Sequence, residues 1–247
     1  MEKGKSKEES HNQKGSIVYP ALDIITGEFI AVVEWTVKCQ NTLKEGSNNF
    51  PASVRKNEDI SCIEPANYRK QIASIEQEFT FLQKLHHPNL VHYLNMKYTE
   101  ERDCIIINIL QEFINGTNLA IYLTENLSVD TDVLRHCAIG ILNALDYLHQ
   151  NNVVHKDLRD TSVFIDQSGI VRLGDYSLDK RLSVICQSSA KEKPENIFPP
   201  SIGRGGKKND IHRFGILLLS LIKGCIVTDS EPEISNSVRA DLRDFLF

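Results

Sequence analysis

The sequence predicts an α+β fold in two lobes, a small β-rich lobe with one amphipathic helix and then a larger helical lobe. Three observations predict it. Ile17 to Tyr19 and Phe29 to Val37 are β-branched and aromatic runs joined through Thr26-Gly27-Glu28, which reads as a hairpin. Ile72, Ile75, Phe79, Leu82 and Leu85 recur at three- and four-residue steps, the spacing of one face of a helix. The second half then holds two long apolar helical patterns, around Leu134 to Leu148 and Ile211 to Ile222.

In chain order, residues 1–14 are polar, lysine-rich and without periodicity, and are expected to form a flexible lead. The first lobe spans 15–110. Its hairpin carries Glu34 on the second arm, and the stretch 41–65, rich in Asn, Ser, Lys and Glu with two prolines, is expected to be an insertion. The helix after it bears Glu78 and ends at His86-His87-Pro88. Cys104 to Leu110 is apolar but for Asn108, as a buried strand is, and residues 111–116 form a hinge closed by the turn signal Asn115-Gly116. The second lobe is 117–247: the helix of Leu134, Cys137, Ala138, Ile141, Leu142, Leu145 and Leu148, a hairpin of Val163 to Ile165 with Ile170 to Leu173 around Asp166-Gln-Ser-Gly169, and a helix over Ile211 to Ile222 that is apolar on nearly every side and so expected to be buried.

Composition bounds the function. A chain of 247 residues, 41% hydrophobic and 25% charged, has material for one large core or two modest ones. A net charge of -5 leaves no overall electrostatic footprint for nucleic acid, so direct DNA binding is not expected. The six cysteines, Cys39, Cys62, Cys104, Cys137, Cys186 and Cys225, are scattered without a C-x-x-C pair, and read as reduced and mostly core. His86-His87 is no metal pair, because helix neighbours point about 100° apart and no carboxylate or cysteine lies at ligand spacing. The start lacks the apolar segment of a signal peptide, and no apolar run approaches the ~18 residues of a membrane span, so a cytoplasmic protein is expected.

The chemistry lies in three motifs. Leu145-Asp-Tyr-Leu-His-Gln-Asn-Asn-Val-Val followed by His155-Lys-Asp-Leu resembles the protein-kinase run into H-R-D-L, and Asp175-Tyr176-Ser177 stands where D-F-G would. Ala31-Val32-Val33-Glu34 stands where V-A-I-K would. The chain thus resembles the protein kinase superfamily from about Gly15 to Phe247, and the resemblance implies a bilobal protein-kinase-like fold with Glu78 on helix C and the last helices of the second lobe missing. Carried over by position, Asp157 matches the catalytic base, Arg159 the catalytic-loop lysine, and Ser162 replaces the asparagine that holds a second magnesium. The three phosphate-loop glycines, counted back from Val18-Tyr19, fall at His11, Gln13 and Ser16, the alanine-proline-glutamate anchor is reduced to Pro199-Pro200-Ser201, and Asp210 matches the buried aspartate that opens helix F.

Glu34 decides what this means. The residue it replaces is a lysine that grips phosphates, whereas two like charges about 4 Å apart at an effective dielectric of about 20 repel by around 4 kcal/mol. With Ser162 and Ser177 also changed, Asp157, Asp175 and Glu78 read as vestigial. No residue is expected to be catalytically active, and neither ATP, magnesium nor another metal is expected as a cofactor. Lacking its lysine, Glu78 must meet Lys38, another cation or solvent. His155 is expected to pack under the metal-binding motif rather than to move protons.

A closer resemblance rests on Val33-Glu-Trp35, Asp175 to Cys186 and Gly206 to Ser220: these are similar to the pseudokinase domain of the general-control-nonderepressible, amino-acid-starvation kinases of eukaryotic initiation factor 2 alpha. That resemblance implies allosteric stimulation of an adjacent serine/threonine kinase domain on the same polypeptide in translational control and the integrated stress response, with a tRNA-synthetase-like region or ribosome-associated factors as further partners. Asp157 and Asp160 depart from its pattern. Three alternatives stand beside it: an atypical active kinase using Lys14 or Lys38, a scaffold that binds ATP without turnover, and an RNA- or ribosome-facing patch of Arg204, Lys207, Lys208 and Arg213. The insertion 41–65 and the segment 188–198 are free of core roles and open to contacts.

Overall fold

The computed structural model describes residues 10–11, 15–39, 63–125, 131–189 and 206–227. They divide between two compact units, Met1–Leu85 with Tyr93–Phe113 and Arg181–Glu195, and His86–His92 with Ile114–Lys180 and Asn196–Phe247. The division of the chain is therefore not a single cut: His86–His92 and Arg181–Glu195 each leave the unit of their sequence neighbours.

The first unit is built on a five-stranded antiparallel sheet: β1 (Ser10–His11), β2 (Ser16–Leu22), β3 (Phe29–Lys38), β4 (Tyr93–Glu100) and β5 (Cys104–Glu112), in the order β1-β2-β3-β5-β4. The expected hairpin is β2 to β3. Cross-strand pairing of Val33 with Ile109, Trp35 with Ile107 and Val37 with Ile105 sets these six side chains on one face, and all six are buried. Helix α1 (Ile63–Leu82) supplies Ile72, Ile75, Phe79 and Leu82 to the same core, with the Phe79 ring 5.7 Å from that of Tyr93. The predicted stripe is thus the buried stripe. The helix starts earlier than expected, so Ile63, Glu64 and Pro65 are helical rather than part of the insertion. A proline in the first turn lacks only an N–H that has no intrahelical acceptor. The rest of the insertion lies outside the described residues.

The second unit has a three-stranded sheet, β6 (Gly116–Asn118), β7 (Val163–Asp166) and β8 (Val171–Leu173). Helices α2 (Leu119–Glu125) and α3 (Thr131–Gln150) pack on it, α5 (Lys207–Lys223) packs on α3, and α4 (Leu178–Ser189) begins in this unit. The β7–β8 hairpin turns as predicted: the Asp166 carboxylate accepts from the N–H groups of Ser168 and Ile170 at 2.8 and 2.9 Å, and Gly169 takes φ 78°. Gly116, expected in a turn, is a strand residue instead. A Cβ there would lie 2.1 Å from the Ile165 carbonyl oxygen, so it is glycine for close approach of two backbones.

Helix α3 buries Cys137, Ile141, Leu145 and Leu148 of its predicted apolar set, and Ala144 besides, but leaves Leu142 exposed and Leu134 and Ala138 half-buried. Helix α5 buries Asp210, Phe214 and Leu217 to Leu221 but leaves Ile211 and His212 exposed, so it is sunk over most of its length rather than buried all round. The described cysteines are all free thiols, yet only Cys137 is buried; Cys39, Cys104 and Cys186 are half-buried and Cys225 is exposed, which corrects the expectation that they are mostly core. Burial pushes the Cys137 and Cys186 thiols up to about 11. No helix of the described residues is long and apolar enough to cross a membrane.

Candidate functional site

In the first unit, strand alternation sets Glu34 on the face opposite Trp35, with Val32 beside it and Ile17, Tyr19 and Asn108 across the neighbouring strands. The Tyr19 hydroxyl donates to Glu34 Oε2 at 3.2 Å. Burial, then the Glu34 charge and the hydrogen bond to it, hold the Tyr19 phenol above its usual value. The sign follows: a phenol favoured neutral in the folded chain stabilises it fully below the ordinary tyrosine pKa near 10 and loses that contribution as pH rises through the higher folded value. Alkaline difference spectra of the wild type against Tyr19→Phe should show Tyr19 titrating late. Glu34→Gln should bring its midpoint part of the way down, leaving the shift due to burial.

Two of the three expected phosphate-loop positions are among the described residues. His11 sits in β1 opposite Ile17, and Ser16 is a buried strand residue opposite Trp35, while Gln13 lies outside the described residues. Ile17, not Val18, pairs with Glu34, and Gly15 before the strand takes φ 83°.

Glu78 finds its cation. Arg181, 103 residues later on α4, donates through Nη1 to Glu78 Oε2 and through Nη2 to Ser74 Oγ at 3.0 Å. Of the alternatives left open for Glu78, another cation thus engages it. Arg181 was not anticipated from the sequence, because nothing local links the two positions; only the docking of α4 within this unit makes the pair.

In the second unit the counterpart of the catalytic loop is closed upon itself. Arg159 Nε donates to Asp157 Oδ1 at 2.8 Å, and Asp157 is buried. The Ser162 hydroxyl accepts from the Arg159 N–H at 2.9 Å and donates to the Arg159 carbonyl at 2.8 Å, closing the 3-10 turn Asp160–Ser162. Its donor and one of its two acceptor lone pairs are thereby used inside the turn. Beneath lies Asp210, fully buried in the first turn of α5. Its Oδ2 accepts from the His155 N–H at 2.9 Å and lies 2.8 Å from His149 Nε2, and its Oδ1 accepts from the Lys156 N–H at 3.1 Å. His155 in turn lies under the Asp175 motif, its Nε2 donating to the Gly174 carbonyl at 3.0 Å and its own carbonyl accepting from the Ser177 N–H at 3.0 Å. This is the structural role the sequence predicts for it.

Three non-glycine residues here hold left-handed backbone: Lys156 at φ 73°, Asp175 at 57° and Ser177 at 66°. Each such residue costs on the order of 1 kcal/mol or more, which the surroundings must offset. Lys156 Nζ donates to Ser177 Oγ at 2.9 Å, a bond a glycine could not accept. Between them, Tyr176 is fully buried, and its hydroxyl donates to the Val91 carbonyl at 3.0 Å. Asp175 itself is buried.

The remaining candidates take other roles. The His86 ring lies 4.2 Å from that of His92, and His87 stacks on Tyr147 at 4.9 Å, where burial lowers the His87 pKa. No group of three metal-ligating side chains occurs among the described residues. In the basic patch, Lys207 Nζ donates to the His149 carbonyl at 2.6 Å, and Arg204, like Lys14 and Pro199-Pro200-Ser201, lies outside the described residues. The signal for Tyr19 was present in the alternation of β2; the partner it would meet required the register with β3.

Comparison with known proteins agrees with this architecture. Residues 53–245 match the family model described as "Protein kinase domain". The chain is 38% identical over 239 residues, 96% of its own length, to "eIF-2-alpha kinase GCN2" of Rattus norvegicus, and equally to that of Homo sapiens. It spans 14% of the length of those relatives. Among solved structures, "Crystal structure of Rad53 1-466 in complex with AMP-PNP" matches with a TM-score of 0.56 at 16% identity, covering 92% of this chain and 50% of that one, a likeness of fold alone. The match to the family model over most of the chain, the 38% identity to those kinases, and a first unit built on a five-stranded sheet with a mainly helical second unit place this chain in the protein kinase family.

Proposed function

We propose that this chain is a catalytically inactive kinase-fold domain, a pseudokinase, that regulates by contact an initiation-factor-2-alpha kinase domain on the same polypeptide. The observation that carries this reading is Glu34: the position of the phosphate-gripping lysine holds a carboxylate bonded to Tyr19. The other residues do not fit magnesium and ATP either. Asp157 is matched by Arg159, the Ser162 hydroxyl is used within its turn, and Glu78 is engaged by Arg181. No step of phosphoryl transfer is therefore derived for this chain. Its scaffold groups, by contrast, are in place: Asp210 holds the loop of His155 and Lys156, and Tyr176 is seated in the core. A domain that keeps its fold while its phosphate-binding residues are replaced is suited to binding rather than turnover, and a regulator needs only different affinity for two states of its partner.

Similarity to the eIF-2-alpha kinase GCN2 proteins supports the choice of partner; a cytoplasmic setting in amino-acid-starvation control, and contacts with a tRNA-synthetase-like region or ribosome-associated factors, belong to the same reading. Titrating the chain onto the kinase domain of human GCN2, with phosphorylation of initiation factor 2 alpha as readout, tests it. Association with a change in rate is expected. No association together with an unchanged rate overturns the proposal.

A further inference from the structure

The β2–β3 hairpin presents apolar surface where a turn is ordinarily polar. Ile24 and Ile25 are 91% and 90% exposed at its tip, and the cross-strand pair Leu22 and Phe29 beside them is 53% and 65% exposed. The Phe29 ring continues the strip onto Phe113, with centroids 5.9 Å apart. The tip is held: Asp23 N–H donates to the Glu28 carbonyl at 2.9 Å, Gly27 N–H to the Asp23 carbonyl at 2.7 Å, and Ile25 N–H to Asp23 Oδ1 at 2.9 Å. Gly27 supplies the left-handed residue at φ 75°. Two isoleucines on a preformed turn lose little freedom on docking, and clustered exposed apolar side chains of this kind mark interaction surfaces.

Charge selects the occupant. The strands and turn from Ser16 to Lys38 carry Asp23, Glu28 and Glu34 against one cation, Lys38, at the end of β3 away from the tip. A second copy would bring the same carboxylates against these, whereas a pocket edged by lysine or arginine would meet both the apolar tip and its acidic flank. We propose that the Ile24-Ile25 tip is the docking element of the first unit, inserting into an apolar pocket with a basic rim on the kinase domain that this chain regulates. This rests on the function proposed above and deepens it by naming the surface.

The test measures binding of the human GCN2 kinase domain to the wild-type chain, to Ile24→Asp/Ile25→Asp, to Glu28→Lys and to Ile139→Asp. The last places the same change at a 52% exposed site on α3. All four side chains are exposed, so folding should be retained, and circular dichroism checks it. At least a 10-fold loss for the double variant, a smaller loss for Glu28→Lys that shrinks with added salt, and unchanged binding by Ile139→Asp are expected. Wild-type binding that the double variant retains overturns this surface and leaves the proposed function standing. No binding by the wild type overturns both. Dimerisation of the chain alone that the double variant abolishes would assign the tip to a second copy and overturn the basic-rimmed pocket.

Discussion

Asp210→Ala should destabilise the second unit by about 3 to 5 kcal/mol, the cost of removing one member of a buried charged network. The carboxylate is fully buried and accepts from two backbone N–H groups, of His155 and Lys156, while His149 Nε2 lies within bonding distance. Alanine leaves these groups without their acceptor, at about 1 to 3 kcal/mol for each one left buried and unpaired, the fully buried His155 N–H above all. Asp210→Asn restores only one acceptor and turns a donor toward the others, so it should recover little. Urea unfolding followed by far-ultraviolet circular dichroism measures the loss. The fluorescence of Trp35, the sole tryptophan, reports the first unit separately and should change less. A loss under about 1 kcal/mol would refute the role given to Asp210.

Trp35→Ala should cost the first unit about 3 to 5 kcal/mol, the range for deleting a large buried aromatic. Trp35 is fully buried between Val33 and Val37 on the core face of β3, and its neighbours across β5, Ile105, Ile107 and Ile109, are fixed by sheet pairing and cannot close the space. One term runs the other way: the indole N–H is buried without a hydrogen-bond partner, and its removal returns part of that penalty. Trp35→Phe separates the two terms. It keeps most of the volume and deletes the unpartnered donor, so it should cost less than about 1.5 kcal/mol. Thermal unfolding of the three proteins by circular dichroism gives the ranking, and equal losses for Ala and Phe would show that volume is not what Trp35 supplies.

The features legible in the sequence were those written in local pattern. The 3.6-residue stripe of α1, the turn chemistry of Asp166 to Gly169 and the order of the motifs around His155 and Asp175 depend on neighbours within a few residues, and the structure shows each of them. Position 34 was legible because a change of charge sign is visible in one letter. What was missed depends on register or on distance. Gly116 reads as a turn residue next to Asn115, and only the approach of Ile165 reveals its reason. Sequence likewise does not say which of Ile17 and Val18 pairs with Glu34. Arg181 was invisible as the partner of Glu78, being joined to it only by tertiary packing.

The replaced lysine is the centre of the account, and ATP binding tests it most directly. Calorimetric titration of the wild-type chain with ATP and magnesium, beside the Glu34→Lys variant, is predicted to give no binding heat for the wild type, because the carboxylate at position 34 opposes the phosphates. Stoichiometric, magnesium-dependent ATP binding by the wild type, with phosphotransfer that disappears in Asp175→Ala, would contradict it.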